Sequence, residues 1–559
     1  RYTVHGDNGP PDQSMSDVIR EWNERYESPQ FRISTAREFF MKFEEQYGAE
    51  LPVFAGDMTP TWEDGAASTA CETAMNRTTA ARLAQTETIW SMLHKTDAFP
   101  DKAFKEAWKN VVLFSEHTWG ASASGTDPHS KFTKDLWEGK KAYADNASNQ
   151  SQILYKQALS PLHVDKGGDF VHVLNTNLWN RTDVVFLDSM VNLNEKELIT
   201  RTGEKVETQR LYDGRWAFVA ENIPALSSEV YQIVSKKKSS RRFVSMIAEN
   251  KILNNGIVRV EIDEVKGTIS SFKRVGDSYE YASNSGLNDY LYTGRYASDP
   301  QGIEQILNIR VLDDGAVAAT LRIESKAPGC NTLWRDVAVY KGIDRVDICN
   351  TLDKQDILDF ENVRFVFPFN IQQPEITMDL AMSEIHPERE QLEGVNKHYY
   401  SLQNGLAVGD LEHAVCLTTV DAPFVELGSP SGLDYRLNPR HGYGWWQSAK
   451  ISPIVYSWVM TNTWRTNYKA SQGGTAKFRY SLQPCNPLDL KLKQRGAERE
   501  MELVAVASRS SQNIEQLFRL KGRHRIALSS IKPADDGKGY IVCLHNMGKQ
   551  SVCSSFVWG

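Results

Sequence analysis

His117 closes the run Trp108-Lys109-Asn110-Val111-Val112-Leu113-Phe114-Ser115-Glu116-His117, with Trp119 and Gly120 just beyond it. Phe104, Ala107, Trp108, Val111, Val112 and Phe114 recur at helical spacing, which predicts a helix over 101–116, started at Pro100-Asp101 and stopped by Gly120. The imidazole then stands on the last turn, where partial negative charge favours a cation and suits a metal-ligating or protonated ring. A buried histidine capping the helix end fits the same spacing. The loop His5-Gly6-Asp7-Asn8-Gly9-Pro10-Pro11 carries the second group able to do chemistry. Asp7 is a candidate general acid, and Asn8, one place on, cannot donate a proton. A turn-forming aspartate bonded to its own backbone is the alternative.

Two His-x-Asp pairs, His5/Asp7 and His163/Asp165, have the spacing of a two-ligand metal half-site on extended chain. Their recurrence by chance argues against both. The run Arg440-His441-Gly442-Tyr443-Gly444-Trp445-Trp446 is the densest aromatic stretch, and its glycines suit an exposed loop whose rings stack on the apolar faces of sugars. Motifs for a serine nucleophile elbow, a phosphate loop or a dinucleotide fold are missing.

The elements that must position these residues fall into blocks. Over 1–55 the pattern is strand, loop and helix, twice. Tyr2-Thr3-Val4 and Phe31-Arg32-Ile33-Ser34-Thr35 read as strands, Met15 to Tyr26 as a helix with Ile19 and Trp22 inward, and Ser34 or Thr35 as the cap of a helix over 36–47. Strand-then-helix is the unit of an α/β barrel, whose chemistry sits on loops after strands. Residues 56–165 predict a three-helix bundle, with helices over 70–93, 101–116 and 132–159. From residue 166 the pattern is all β: a small domain and linker over 166–240, a large β-sandwich over 241–495 and a small terminal β domain over 496–559. The expected class is a multidomain α+β protein: a barrel remnant, a bundle, then antiparallel sandwiches.

At 559 residues the chain is too long for one core. A net charge of −7 excludes wholesale attraction to nucleic acid or an anionic membrane, and the basic run Lys236–Arg242 reads as a solvated linker. No apolar run is long enough to cross a bilayer. Seven dispersed cysteines argue against a disulfide framework or zinc knuckle, and the sequons at Asn76, Asn146, Asn149 and Asn180 fall mostly within helices or tight loops.

Several segments, in order along the chain, resemble glycoside hydrolase family 38, the α-mannosidases. The Trp108-x-Asn110-x-x-Leu113-x-x-x-His117 run is similar to the segment that brings in the family's last zinc ligand, although Glu116 and Thr118 stand where the family has His and Asp. Gly6-Asp7-Asn8-Gly9-Pro10-Pro11, Leu51–Asp57, Thr61–Gly65, Leu287–Tyr292, Ser457–Tyr468 and Leu528–Asn546 resemble further family segments. The resemblance implies a zinc-dependent, retaining α-mannosidase. It makes Asp7 the acid and His117 a ligand of one zinc ion, while Trp119, Tyr443, Trp445 and Trp464 are the candidate substrate-binding residues because their rings can stack on sugars. It also implies that the remaining zinc ligands and the nucleophile come from an earlier barrel half, so the chain reads as a fragment that is inactive alone. The expected partner is an α-mannoside glycan, with homo-oligomerisation open. A metal-free polysaccharide lyase using His117 as base, and a non-catalytic carbohydrate-binding protein, are the other readings.

Overall fold

The computed structural model describes residues 10, 12–54, 56–57, 63–94, 99–116, 119, 121–164, 167–187, 191–236, 244–249, 251–294, 299–380, 383–431, 446, 448–521, 526–547 and 551–558. Asp7, His117, Tyr443, Trp445, the expected strand at 2–4 and most of the basic run lie outside them. Residues 1–55 and 56–559 are two compact units.

The described part of the first unit is two helices, α1 (Met15–Arg25) and α2 (Ala36–Tyr47). Thr35 caps α2: its hydroxyl accepts from the Glu38 N–H while the Glu38 carboxylate accepts from the Thr35 N–H, a reciprocal box. Ile19 and Trp22 are half-buried, and the Trp22 ring lies 5.4 Å from Phe31. The strand expected over 31–35 does not form. The segment is extended, but the Asn23 side chain takes the backbone of Phe31, accepting from its N–H (2.8 Å) and donating to its carbonyl (2.7 Å). Period-two alternation asks only for extended backbone; a strand also needs a neighbour, and here a side chain fills that place. Among the described residues of 1–55 there are helices and no strand, so the strand-then-helix unit expected there is seen only in its helical half.

The second unit opens with a short 3₁₀ segment, Glu63–Thr69, and three long helices, α3 (Ala70–Leu93), α4 (Asp101–Phe114) and α5 (Lys131–Leu159). They follow the expected bundle closely. Leu83, Ile89, Phe104, Ala107, Val111 and Leu154 form its core, which continues into Val504 and Val506. The strand Val504–Ser508 pairs antiparallel with Phe170–Asn175, so a strand from near the end of the chain completes a sheet begun just after the bundle.

The large sandwich is built on a sheet of nine described strands, running in spatial order from Gln305–Asp314 through Cys330–Tyr340, Val346–Lys354 and Gly474–Cys485 to Ser383–Ile385. It shares a core with a second sheet containing Asp289–Thr293, Asn362–Pro368 and Ile454–Thr461. Phe367 on one meets Tyr480 on the other at 5.1 Å, and the Tyr480 hydroxyl is buried against Ser457 Oγ at 2.9 Å. Val258–Ile262 and Ile269–Arg274 pair as a hairpin, and so do Ile526–Pro533 and Tyr540–Asn546 near the end of the chain. Helix α6 (Leu492–Glu500) links the sandwich to the last strands. Among the described residues no helix is long and apolar enough to cross a membrane. All seven cysteines are free, with the Sγ atoms of Cys416 and Cys485 3.3 Å apart.

Candidate functional site

Asp64 has no solvent exposure, yet it carries a carboxylate. Its Oδ1 accepts from the Tyr399 hydroxyl (3.1 Å) and its Oδ2 from the Trp464 indole N–H (3.2 Å). A buried carboxylate needs such donors, and here they come from segments more than three hundred residues away. The next residue must be glycine: a Cβ on Gly65 would lie 2.2 Å from the Tyr468 ring. Asp57, shortly upstream, is held by backbone hydrogen bonds to Glu390 and Leu392.

Trp464 begins a loop that zips onto the segment after α4. The Trp119 N–H donates to the Asn467 carbonyl (2.6 Å), Asn467 N–H to Ala121 (3.0 Å) and Gly125 N–H to Arg465 (2.8 Å). Arg465 and Asn467 take left-handed φ of 58° and 61° to present these carbonyls. Gly125 allows the close approach, since a Cβ there would sit 2.6 Å from the Arg465 oxygen. Phe114, Trp119, Ala144 and Tyr468 form one apolar cluster with Trp464 packed against it. On the α4 side, Lys140 of α5 donates to both the carbonyl and the carboxylate of Glu116, each at 3.1 Å. Residues 117–118 are thus bracketed by two anchors, Glu116–Lys140 and Trp119–Asn467.

On the other flank, His398 and Trp446 rings lie 4.2 Å apart, and the Lys450 ammonium sits 3.8 Å over the Trp446 ring. Tyr399 is wedged between Phe424 and Trp458. The result is an acid-and-aromatic hub where the start of the unit, the segment at 396–400, the loop at 464–468 and the segment after α4 converge.

Two solved structures share this architecture. An α-mannosidase from Enterococcus faecalis V583 superposes with a TM-score of 0.75 over 99% of this chain and 71% of its own, at 14% identity. A protein in glycosyl hydrolase family 38, also from Enterococcus faecalis, does so with a TM-score of 0.71 over 99% and 72%, at 13% identity. The chain has the family 38 fold. That agrees with the resemblance seen in the sequence, although no family profile and no curated protein matches it.

Within the family 38 fold, the structure brings two of the candidate residues, Trp119 and Trp464, to one cluster. Trp119 is buried with its ring edge-on to Phe114 at 5.7 Å, and Trp464 is half-buried with its N–H on Asp64. Asp7, His117, Tyr443 and Trp445 are outside the described residues. Asp64, Tyr399 and His398 were not singled out from the sequence, whereas Trp446 closes the aromatic run read there as a sugar-stacking loop. For Asp64 the signal was there, an aromatic-acid-glycine stretch at 62–65; for Tyr399 and His398 it was not, because contacts to Asp64, 335 residues away, and to Trp446, 48 residues away, leave no local spacing. Among the described residues no three His, Cys, Asp or Glu side chains converge as a metal site. Both Asp64 oxygens already accept hydrogen bonds, which suits a structural hub more than a metal ligand. The zinc reading therefore keeps the sequence resemblance as its basis.

Proposed function

We propose that the protein is a glycoside hydrolase of the α-mannosidase type, acting on α-mannosides with retention of configuration and using one zinc ion. The observation that carries this reading is the likeness in fold, over 99% of the chain, to a protein described as an α-mannosidase. The anchored segments on either side of His117 support it, because a ligand must be held by its neighbours to keep its geometry. In this reading His117 contributes an imidazole nitrogen to the metal, and zinc, when bound, would orient and polarise sugar hydroxyls. Asp7 donates the proton to the departing glycosidic oxygen. Tyr443, Trp445 and Trp464 offer ring faces to the sugar, while Trp119 holds the segment after His117 against the 465–467 loop.

The test is hydrolysis of p-nitrophenyl α-mannoside by the protein as isolated from its natural source, during chelator titration, with the product anomer followed by proton NMR. Activity lost with the metal, restored by zinc and yielding the α-anomer first is the expected result. Turnover that persists after complete metal removal rejects the zinc hydrolase. A product absorbing in the ultraviolet points instead to a lyase, and saturable glycan binding without turnover to a binding protein.

A further inference from the structure

A cavity of about 320 Å³ opens between α3, the strand Ala414–Thr419, α6 and the strand Val504–Ser508. None of its lining residues belongs to the acid-and-aromatic hub. Four arginines reach it from three elements: Arg77 and Arg82 on α3, Arg479 on the large sheet and Arg499 on α6. Their partners are unequal. Arg479 is held bidentately by Asp421, at 2.7 and 2.9 Å. Arg499 reaches Asp347 at 3.5 Å and Glu502 at 3.3 Å, but its Nε is buried with no acceptor among the described residues.

Arg77 donates only to backbone carbonyls, those of Val420, Leu402 and Gln403. Arg82 makes a single hydrogen bond among the described residues, to Ser151 Oγ at 3.0 Å. Neither forms an ion pair among the described residues, and a guanidinium has five N–H groups to satisfy. The Thr419 hydroxyl, 1% exposed, also lacks a partner among them. The remaining acid at the wall, Glu500, faces Arg77 and is hydrogen-bonded by Asn404, both of which oppose the upward pull of burial on its carboxyl. Arg82 without a facing acid, the Arg499 Nε and the Thr419 hydroxyl thus bring unused donors to one partly buried space, an arrangement that is unfavourable until an acceptor enters.

We propose that this cavity binds a small oxyanion, a phosphate or carboxylate group carried by a compact molecule, with Arg82 and Arg77 as its charge partners and Thr419 as a neutral donor. Planar guanidinium forks match the oxygen spacing of both groups. The volume exceeds what a bare anion fills, leaving room for a substituent. Because the wall is shared by the bundle, the sandwich and α6, occupancy ties three elements together and stabilises the fold in proportion to ligand concentration.

Isothermal titration calorimetry and thermal melting with inorganic phosphate and with malonate, against chloride at matched ionic strength, test the site. Saturable one-to-one binding of either anion is expected, with a rise in melting temperature that chloride does not produce. Preference between the two assigns the group as phosphate or carboxylate. Arg82→Gln is expected to weaken binding at least tenfold and Thr419→Val several-fold, whereas Arg20→Gln, a surface change in the first unit, leaves it unchanged. Absence of saturable binding by both anions overturns the proposal, as does unaltered affinity in Arg82→Gln. Should Arg82→Gln fail to fold, equal ³¹P line broadening in Thr419→Val and in the unaltered protein overturns it as well.

Discussion

Asp64 accepts two hydrogen bonds where water does not reach, so its removal acts through the donors left behind. Asp64→Ala removes the carboxylate that accepts from the Tyr399 hydroxyl and the Trp464 N–H, at about 1–3 kcal/mol for each buried group. Urea unfolding should register a loss of roughly 2–5 kcal/mol, and a loss below ~0.5 kcal/mol would deny Asp64 its role as hub. Gly65→Ala presses a methyl into the Tyr468 ring and should cost about 1–3 kcal/mol by overpacking. Because the clash needs that ring, a double-mutant cycle with Tyr468→Ala should recover much of it.

Asp183 is the residue whose titration should be visible in stability. Burial alone would raise its carboxyl, but the guanidiniums of Arg345 and Arg181 outweigh that and hold it at about 2. The folded value lies below the unfolded one, so the stabilisation is complete above pH ~4 and is lost as pH falls from about 4 towards 2. Its size is about 2 kcal/mol. Asp183→Asn should flatten this acid limb in a series of denaturant midpoints measured against pH; an unchanged slope would remove Asp183 from the account.

Among the elements, the same network joins the strand Arg181–Leu187 to the strand Val346–Lys354 of the large sheet. Arg345 bridges Asp183 (2.9 Å) and Asp347 (2.8 Å), and Ser481 and Arg499 complete the shell around Asp347. Arg345→Met would leave two buried carboxylates facing each other with one cation fewer. The expected loss is about 3–5 kcal/mol. A single substitution that leaves thermal stability within a degree would show that the two strands are held by packing alone. The loop zipper follows similar logic: three backbone hydrogen bonds join residues 119–125 to 465–467 and depend on left-handed Arg465 and Asn467.

For the molecule as a whole, the end of the chain is structural. The strand Val504–Ser508 fills a sheet edge beside Phe170–Asn175, and Val504 and Val506 lie in the bundle core. Ser91 of α3 donates to the Ile531 carbonyl at 3.0 Å, and Gln85 to that of Glu502 at 2.9 Å. A chain ended after residue 491 would expose the 170–175 edge and uncover bundle side chains. It should aggregate or lose its cooperative thermal transition. Retention of a sharp transition, by circular dichroism, would mean that the helices and sandwich are independent of this segment.

The sequence by itself determined the local elements. Helical spacing marked α3, α4 and α5 almost to their ends, alternation and turn residues marked β structure from residue 166, and Ser34 or Thr35 marked the cap of α2, because these patterns depend on contacts a few residues apart. The order of short family-like segments also carried the family 38 fold, since each segment keeps its place in a collinear chain. Tertiary structure alone decided the rest. Whether 31–35 became a strand depended on a partner, and Asn23 took that place. Asp64 became a hub because Tyr399 and Trp464 arrive from elsewhere in the chain, and the arginine-lined cavity exists only where three elements meet. Long-range contacts of this kind leave no period in the sequence, as burial and hydrogen bonding act through space and not along the chain.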